Sequence, residues 1–282
     1  MVRTLRLLAL CAAFLLLGLN VAGSFIPLRR PDLQNELGGR PELTEPSWEA
    51  FSRTGQEPVR DYVTRLTNLV HLSTVHYWDD EGIDKYHLRV PVYENYLLFI
   101  ASYLKPKEYR KYEFCNYQKA LDRAVGLCSQ RSIILAEILR RNGVGSRIVG
   151  FEGHVVATAQ IDKDHDIWWV ADPDYGVVID RDVAEIQKDS EVIKPFYSKR
   201  GYDAETIRNL TRIYALPATI FASTKEYRTW KVYYFEYLSY VFIWIIPVAL
   251  ICLAILPLLR GSLHRFVSGP DKKTTISLPE MV

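Results

Sequence analysis

Two stretches of this chain are predominantly apolar and free of charge. Leu7 to Phe25 carries no charged side chain and follows Arg3 and Arg6, and Leu238 to Leu259 is again free of charge. Each is about as long as the roughly 20 apolar residues a helix needs to cross a hydrocarbon core. The first has the layout of a secretory signal or a signal anchor. Ala22, Gly23 and Ser24 would suit a cleavage site, but the apolar run is long for a removed signal, so an uncleaved anchor over residues 1–25 is the preferred reading. Tyr233, Tyr234, Tyr237, Tyr240 and Trp244 crowd the front of the second stretch as an interfacial belt would, and Pro247 and Pro257 are tolerated in a membrane helix. A spanning helix is expected over 237–259, with a tail at 260–282.

Between these stretches the pattern becomes periodic. Residues 26–46 are rich in Pro, Gly and polar side chains and predict a linker. A helical part follows over 47–115. Tyr62, Leu66, Leu69 and Val70 recur at helical spacing, Val92 to Leu104 predicts a second helix, and Pro91, Pro106 and Asp79 to Gly82 punctuate them. In the segment 116–182, Cys128 to Arg141 carries an apolar stripe of Ile134, Leu135, Ile138 and Leu139 and ends at Asn142 and Gly143. Ser146 to Phe151, His154 to Ile161, Ile167 to Asp172 and Val177 to Ile179 read as strands. Residues 183–236 hold one helix near Ala204 to Tyr214, and a last helix is expected to run from Lys225 into the second span. Helices followed by a meander predict an α+β fold, a helix packed on an antiparallel sheet, preceded by helices and flanked by two transmembrane helices.

Charge adds an orientation. Arg3 and Arg6 precede the first span, while Arg260, Arg265, Lys272 and Lys273 follow the second; Arg29, Arg30, Lys225, Arg228 and Lys231 lie on the other side. The signal-like first segment decides for an extracytoplasmic domain with both termini cytoplasmic. Removing the tails' six basic and two acidic residues from totals of 35 and 33 leaves a nearly neutral domain, which argues against a nucleic-acid partner. Of four cysteines, Cys11 and Cys252 fall in the apolar stretches, which leaves Cys115 and Cys128 for the soluble part and no disulfide framework. Cys115 could be buried, serve as a resolving thiol or pair with Cys128, and the sequence does not choose.

The candidate chemistry gathers around Cys128. It follows Gly126 and Leu127 and opens the striped helix, where free backbone N–H groups and the positive dipole end favour a thiolate. His154 begins a strand, Asp162 to Asp166 form a polar turn, and Trp168 to Asp172 run back, which brings His154 opposite Asp172 or a near neighbour. Asp174 competes with Asp172 for the role of holding the imidazole. A strand carrying His154 against the start of the Cys128 helix would supply a thiol, a base and an acid that fixes its tautomer. Asp162, Asp164 and Asp166 alternate like the start of a calcium loop, but Ile167 and Pro173 stand where Gly and Glu are needed. No metal or cofactor site is expected.

The runs Gly126-Leu127-Cys128-Ser129-Gln130, Leu139-Arg140-Arg141-Asn142-Gly143, Ser146-Arg147-Ile148, Gly153-His154-Val155 and Trp169-Val170-Ala171-Asp172-Pro173 resemble, in order and spacing, the core of the transglutaminase-like superfamily. The resemblance covers roughly Asn116 to Ile179. It implies a papain-like core with Cys128 as nucleophile, His154 as base and Asp172 as orienting acid. One departure is Val156, where the family often has an aromatic residue beside the substrate. Another is the oxyanion donor, for which only the backbone N–H of Cys128 is evident. Asn116 and Gln118 are side-chain candidates for that role, and one of Trp168 and Trp169 is a candidate lining residue.

The resemblance, with the two apolar stretches, thus implies a membrane-anchored thiol enzyme acting on a protein or peptide-like amide through a Cys thioester. Water would resolve the thioester in a peptidase or amidase, an amine in a transglutaminase. The alternative is a noncatalytic module that uses the same cleft to bind a partner in envelope or polysaccharide assembly.

Overall fold

A computed structural model of the chain describes residues 2–30, 33, 46–77 and 82–267. Residues 31, 32 and 34–45 of the expected linker, 79–81 of the turn ending at Gly82, and 268–282 of the expected tail lie outside the described residues. Two compact units emerge, one of Met1–Val21 with Val241–Val282 and one of Ala22–Tyr240.

Helix α1 (Val2–Gly23) leads into the larger unit, in which helix α2 spans Val59–Ser73. Its buried residues Tyr62, Val63, Leu66, Val70 and Ser73 follow helical spacing. Strand β1 (Val75–His76) precedes α3 (Tyr96–Leu104). The helix expected from Val92 starts later because Asn95, held extended, accepts the N–H groups of Leu97 and Leu98 and so caps it. The short α4 (Pro106–Tyr109) and α5 (Tyr117–Arg123) follow, and Ala124, in the left-handed region at φ 60°, ends α5. Strand β2 (Val125–Gly126) pairs in parallel with β1, placing His76 beside Gly126. Helix α6 (Cys128–Arg141) then crosses the centre of the unit.

Strands β3 (Ser146–Phe151), β4 (His154–Asp162), β5 (Ile167–Asp172) and β6 (Val177–Ile179) form the expected meander. After it come α7 (Val183–Lys188), α8 (Lys194–Lys199) and α9 (Ala204–Tyr214). Strand β7 (Thr219–Phe221) returns to pair antiparallel with β3, giving a five-stranded sheet in the order β6-β5-β4-β3-β7. Last are α10 (Thr224–Tyr227) and α11 (Trp230–Val267). The expected continuous helix from Lys225 is interrupted at Thr229, whose φ of 64° is left-handed.

Alternation along the strands builds a core on each face of the sheet. Ile148, Ala157, Ala159 and Ala171 join α6 and α2 in one core, and the three alanines let α6 lie close. Val149, Val156 and Val170 join Val183, Ile186, Ile207 and Leu210 from α7 and α9 in the other. Val156, which stands where the resembled family often has an aromatic residue, is fully buried in this second core, because it points to the face opposite α6.

Two apolar segments, Arg3–Gly23 and Trp230–Leu256, are long enough to cross a membrane. A core helix of a soluble protein would be mostly covered, whereas only 11% and 22% of an 18-residue apolar stretch within each of these segments is buried. Leu7, Leu8, Leu15, Val248 and Leu253 are exposed, which fits membrane association. Asn20 Nδ2 donates to the Ile243 carbonyl at 2.6 Å, so the polar side chain among these apolar residues is satisfied.

Candidate active site

Cys128 is the first residue of α6, and the preceding Leu127 is extended and makes no side-chain cap bond. The backbone N–H groups of the first turn, which have no intrahelical partner, are therefore not taken by a cap. Two contacts fix this helix start. A Cβ on Gly126 would lie 2.5 Å from Gln130 Cβ, so only glycine lets the strand pass there. The Gln130 amide accepts from Phe114 N and Arg123 Nη2 and donates to the Phe114 carbonyl, which pins α6 to the segment before α5.

One turn along α6, Ser132 Oγ donates to the Val155 carbonyl at 2.9 Å, tying the helix to the start of β4. Phe151 and His154 pair across a two-residue turn in which Gly153 has φ 93°. His154 is thereby set at the end of its strand. Its Nε2 donates to Asp172 Oδ2 at 2.8 Å, and the Cys128 thiol is near enough to act electrostatically on the same ring. With Nε2 engaged, Nδ1 is the nitrogen left for sulfur. Burial alone would lower the imidazole's pKa, but the Asp172 carboxylate and then the interaction with Cys128 outweigh it and hold His154 well above its ordinary value.

The strand register refines the expected pairing. Ala157 faces Ala171, so by continuation Val156 faces Asp172 and the formal partner of His154 is Asp174. His154 and Asp172 share a face as diagonal neighbours, within reach of a long side chain. Asp172 is itself held on both oxygens. Oδ1 accepts the N–H groups of Asp174 and Tyr175, and Oδ2 accepts the Tyr197 hydroxyl at 2.7 Å. Tyr214 lies 3.5 Å from Oδ2 and 2.9 Å from the Tyr197 hydroxyl. Burial and the Asp172 charge push both phenols well above their ordinary pKa, so both remain donors.

Asp174 serves a different site. Its Oδ1 accepts from Arg131 Nη1 at 2.7 Å and His76 Nδ1 at 2.6 Å. Arg131, fully buried one turn after Cys128, also donates to Thr74 Oγ1 and to the carbonyls of His71, Thr74 and Asp174. Burial would raise the Asp174 pKa, but the His76 hydrogen bond and the Arg131 charge hold it well below the usual carboxylate range. The ion pair locks the turn after β5 and leaves Asp172 as the residue that holds His154.

Three other candidates do not join the site. Asn116 is exposed and its Oδ1 caps α5 by accepting Gln118 N. Gln118 is also exposed, and neither side chain hydrogen-bonds Cys128, His154 or Asp172. Trp168 faces Gln160 near the far end of the hairpin, four residues or about 13 Å along β5 from Asp172. Its indole donates to Asp166 Oδ1 and its ring lies 3.7 Å beneath the Arg147 guanidinium, a structural placement.

Aromatic residues unseen in the pattern flank the site instead. The Tyr175 ring meets His154 edge-on at 5.6 Å, and the Tyr227 phenol lies within electrostatic reach of Ser129 and Cys128. Ser129 Oγ also donates to Glu113 Oε1, whose second oxygen pairs with Arg228 at 3.3 Å. All four cysteines are free. Burial, then the Glu236 charge, pushes the Cys115 thiol far up, which leaves it inert as a nucleophile at neutral pH.

Comparison with known proteins adds no relative, since no family model, no curated protein and no solved structure matches the chain.

Proposed function

We propose that this chain is a membrane-anchored thiol enzyme of transglutaminase-like type, with Cys128 as nucleophile, His154 as general base and acid, and Asp172 as the orienting carboxylate. The observation that carries this reading is one imidazole held by a carboxylate at 2.8 Å, with a thiol at the start of a helix near enough to act on the same ring. In the proposed reaction the Cys128 sulfur attacks an amide carbonyl carbon and His154 hands its proton to the departing amine, leaving a thioester. The uncapped N–H groups at the start of α6 are the donors suited to the oxyanion. Water or an amine then attacks the thioester, His154 takes the proton from the attacking group, and the thiolate leaves. The two apolar helices would hold this domain at a membrane, on its extracytoplasmic side by the signal-like character of the first segment.

A noncatalytic binding module is favoured by one observation: Cys128 and His154 are only 8% and 4% exposed. Acyl trapping separates the two readings. The detergent-solubilised protein is mixed with a small activated acyl ester and its intact mass is read at short times. The proposal predicts an acyl adduct on Cys128 that is absent in Cys128→Ala and strongly reduced in His154→Ala. Added water-soluble primary amine turns the product from acid to amide if the enzyme is a transglutaminase. Equal acylation of Cys128 in the wild type and His154→Ala would favour the binding module.

A further inference from the structure

Helix α3 carries an apolar face that the larger unit leaves bare. Ile100, Tyr103 and Leu104 are exposed, Leu104 at 77%, as is Val92 just ahead of the helix. A patch of this kind on a soluble surface marks an interaction site. Its position in the fold identifies the partner. The turn that caps α3, Tyr93 to Asn95, is where both ends of the unit come together. Gly23, the last residue of α1, abuts the Tyr93 carbonyl so closely that a Cβ would lie 1.9 Å from it. From α11, Ser239 Oγ accepts Asn95 Nδ2 at 2.8 Å and the Tyr240 hydroxyl donates to Glu94 at 2.7 Å.

Both apolar segments therefore leave the unit beside the start of α3. Further along the same segment, the Tyr109 ring meets Phe235 at 5.4 Å. Phe235 and Tyr240 are five residues apart on α11, a rise of about 8 Å, which keeps α3 and α4 near one level of that helix. Phe25 and Ile26, next after α1, and Tyr237 and Leu238 on α11 are exposed at the same end. Lys105, Lys107 and Arg110 follow α3, also exposed, against a single acidic residue, Glu108.

We infer that α3 is an interfacial helix that rests its Ile100–Tyr103–Leu104 face in the bilayer surface, with the following basic residues on anionic phospholipid headgroups. Apolar residues ahead of a cluster of Lys and Arg suit that boundary. This rests on the reading of the two apolar helices as membrane anchors and is independent of the thiol chemistry.

The test is photo-crosslinking of the full chain in nanodiscs doped with a phospholipid that carries a diazirine near its headgroup. The inference predicts lipid adducts on residues 92–104 as well as on Tyr237 and Leu238. It also predicts loss of the α3 adducts in Ile100→Glu/Leu104→Glu, and their reduction when phosphatidylglycerol is replaced by phosphatidylcholine or in Lys105→Gln/Lys107→Gln. Adducts on Tyr237 and Leu238 with none on α3 would overturn the inference while leaving the anchors intact. Crosslinks between α3 helices of two copies would also overturn it. Absence of adducts at both places would instead contradict the anchor reading on which it rests.

Discussion

Replacing Arg131 with Met should cost the larger unit several kcal/mol, because its guanidinium is fully buried and makes an ion pair in the interior. At 2.7 Å from Asp174 Oδ1, the Coulomb attraction is about 6 kcal/mol at an effective dielectric constant of about 20. Desolvation offsets part of this in the intact protein, but removing one partner leaves the other charge uncompensated, which costs about 3–5 kcal/mol. The carbonyls of His71 and Thr74 lose donors as well. The carboxyl of Asp174 lies well below its ordinary range, so its contribution is present above the unfolded value of about 3.9 and is lost as pH falls through the folded one. A measurement at neutral pH therefore sees the whole effect. For a unit of this size the expected fall in Tm is about 6–20 °C. It should be read by near-ultraviolet circular dichroism of the detergent-solubilised protein, with the exposed Arg208→Met as control. An Arg131→Met midpoint no lower than that of the control would refute the assignment of Arg131 and Asp174 as a locked pair.

Tyr197→Phe removes a hydroxyl that donates to the Asp172 carboxylate, and a hydrogen bond to a charged group contributes about 1.5–3 kcal/mol. Tyr214 stands close enough to substitute in part, so the double variant with Tyr214→Phe should lose more than the two single losses together in thermal unfolding. Gly126→Ala places a methyl against Gln130 and should cost about 1–3 kcal/mol, with a parallel loss of Cys128 reactivity as the helix start shifts. The raised pKa of His154 makes its stabilisation complete below the unfolded value of about 6.5 and progressively lost as pH rises through the higher folded value. In Asp172→Asn burial prevails, the folded pKa drops, and histidine NMR should find the ring neutral at pH values where the wild type is charged.

The parts of the site that lie close in sequence were legible and the parts contributed from a distance were not. Cys128 at the head of a striped helix and the strand pair carrying His154 and Asp172 follow from periodicity, because helix and hairpin are local. The diagonal placement of His154 and Asp172 depends on register, which residue types alone leave free by two positions. Tyr197 and Tyr214 sit on helices of one to three turns in a region of weak pattern, and their packing on the sheet is a tertiary event. Strands β1, β2 and β7, of two or three residues each, are too short to show alternation. The sequence offers Trp168 to a cleft on its strand face alone, while its distance from Asp172 depends on where the hairpin turns. Asn116 was attractive as a polar donor near the cysteine, but an Asn just ahead of a helix is more readily used as its cap.

The central claim is that Cys128 and His154 act as one activated pair, and the pH dependence of Cys128 alkylation tests it most directly. The protein should carry Cys11→Ser, Cys115→Ser and Cys252→Ser, since Cys11 and Cys252 are exposed and Cys115 is buried. Iodoacetamide labelling would be followed by intact mass between about pH 5 and 10, a range that brackets the free-thiol value near 8.5. The account predicts fast labelling persisting to about pH 6 that collapses to the profile of an ordinary thiol in His154→Ala. Labelling that follows an ordinary thiol in both proteins would contradict it.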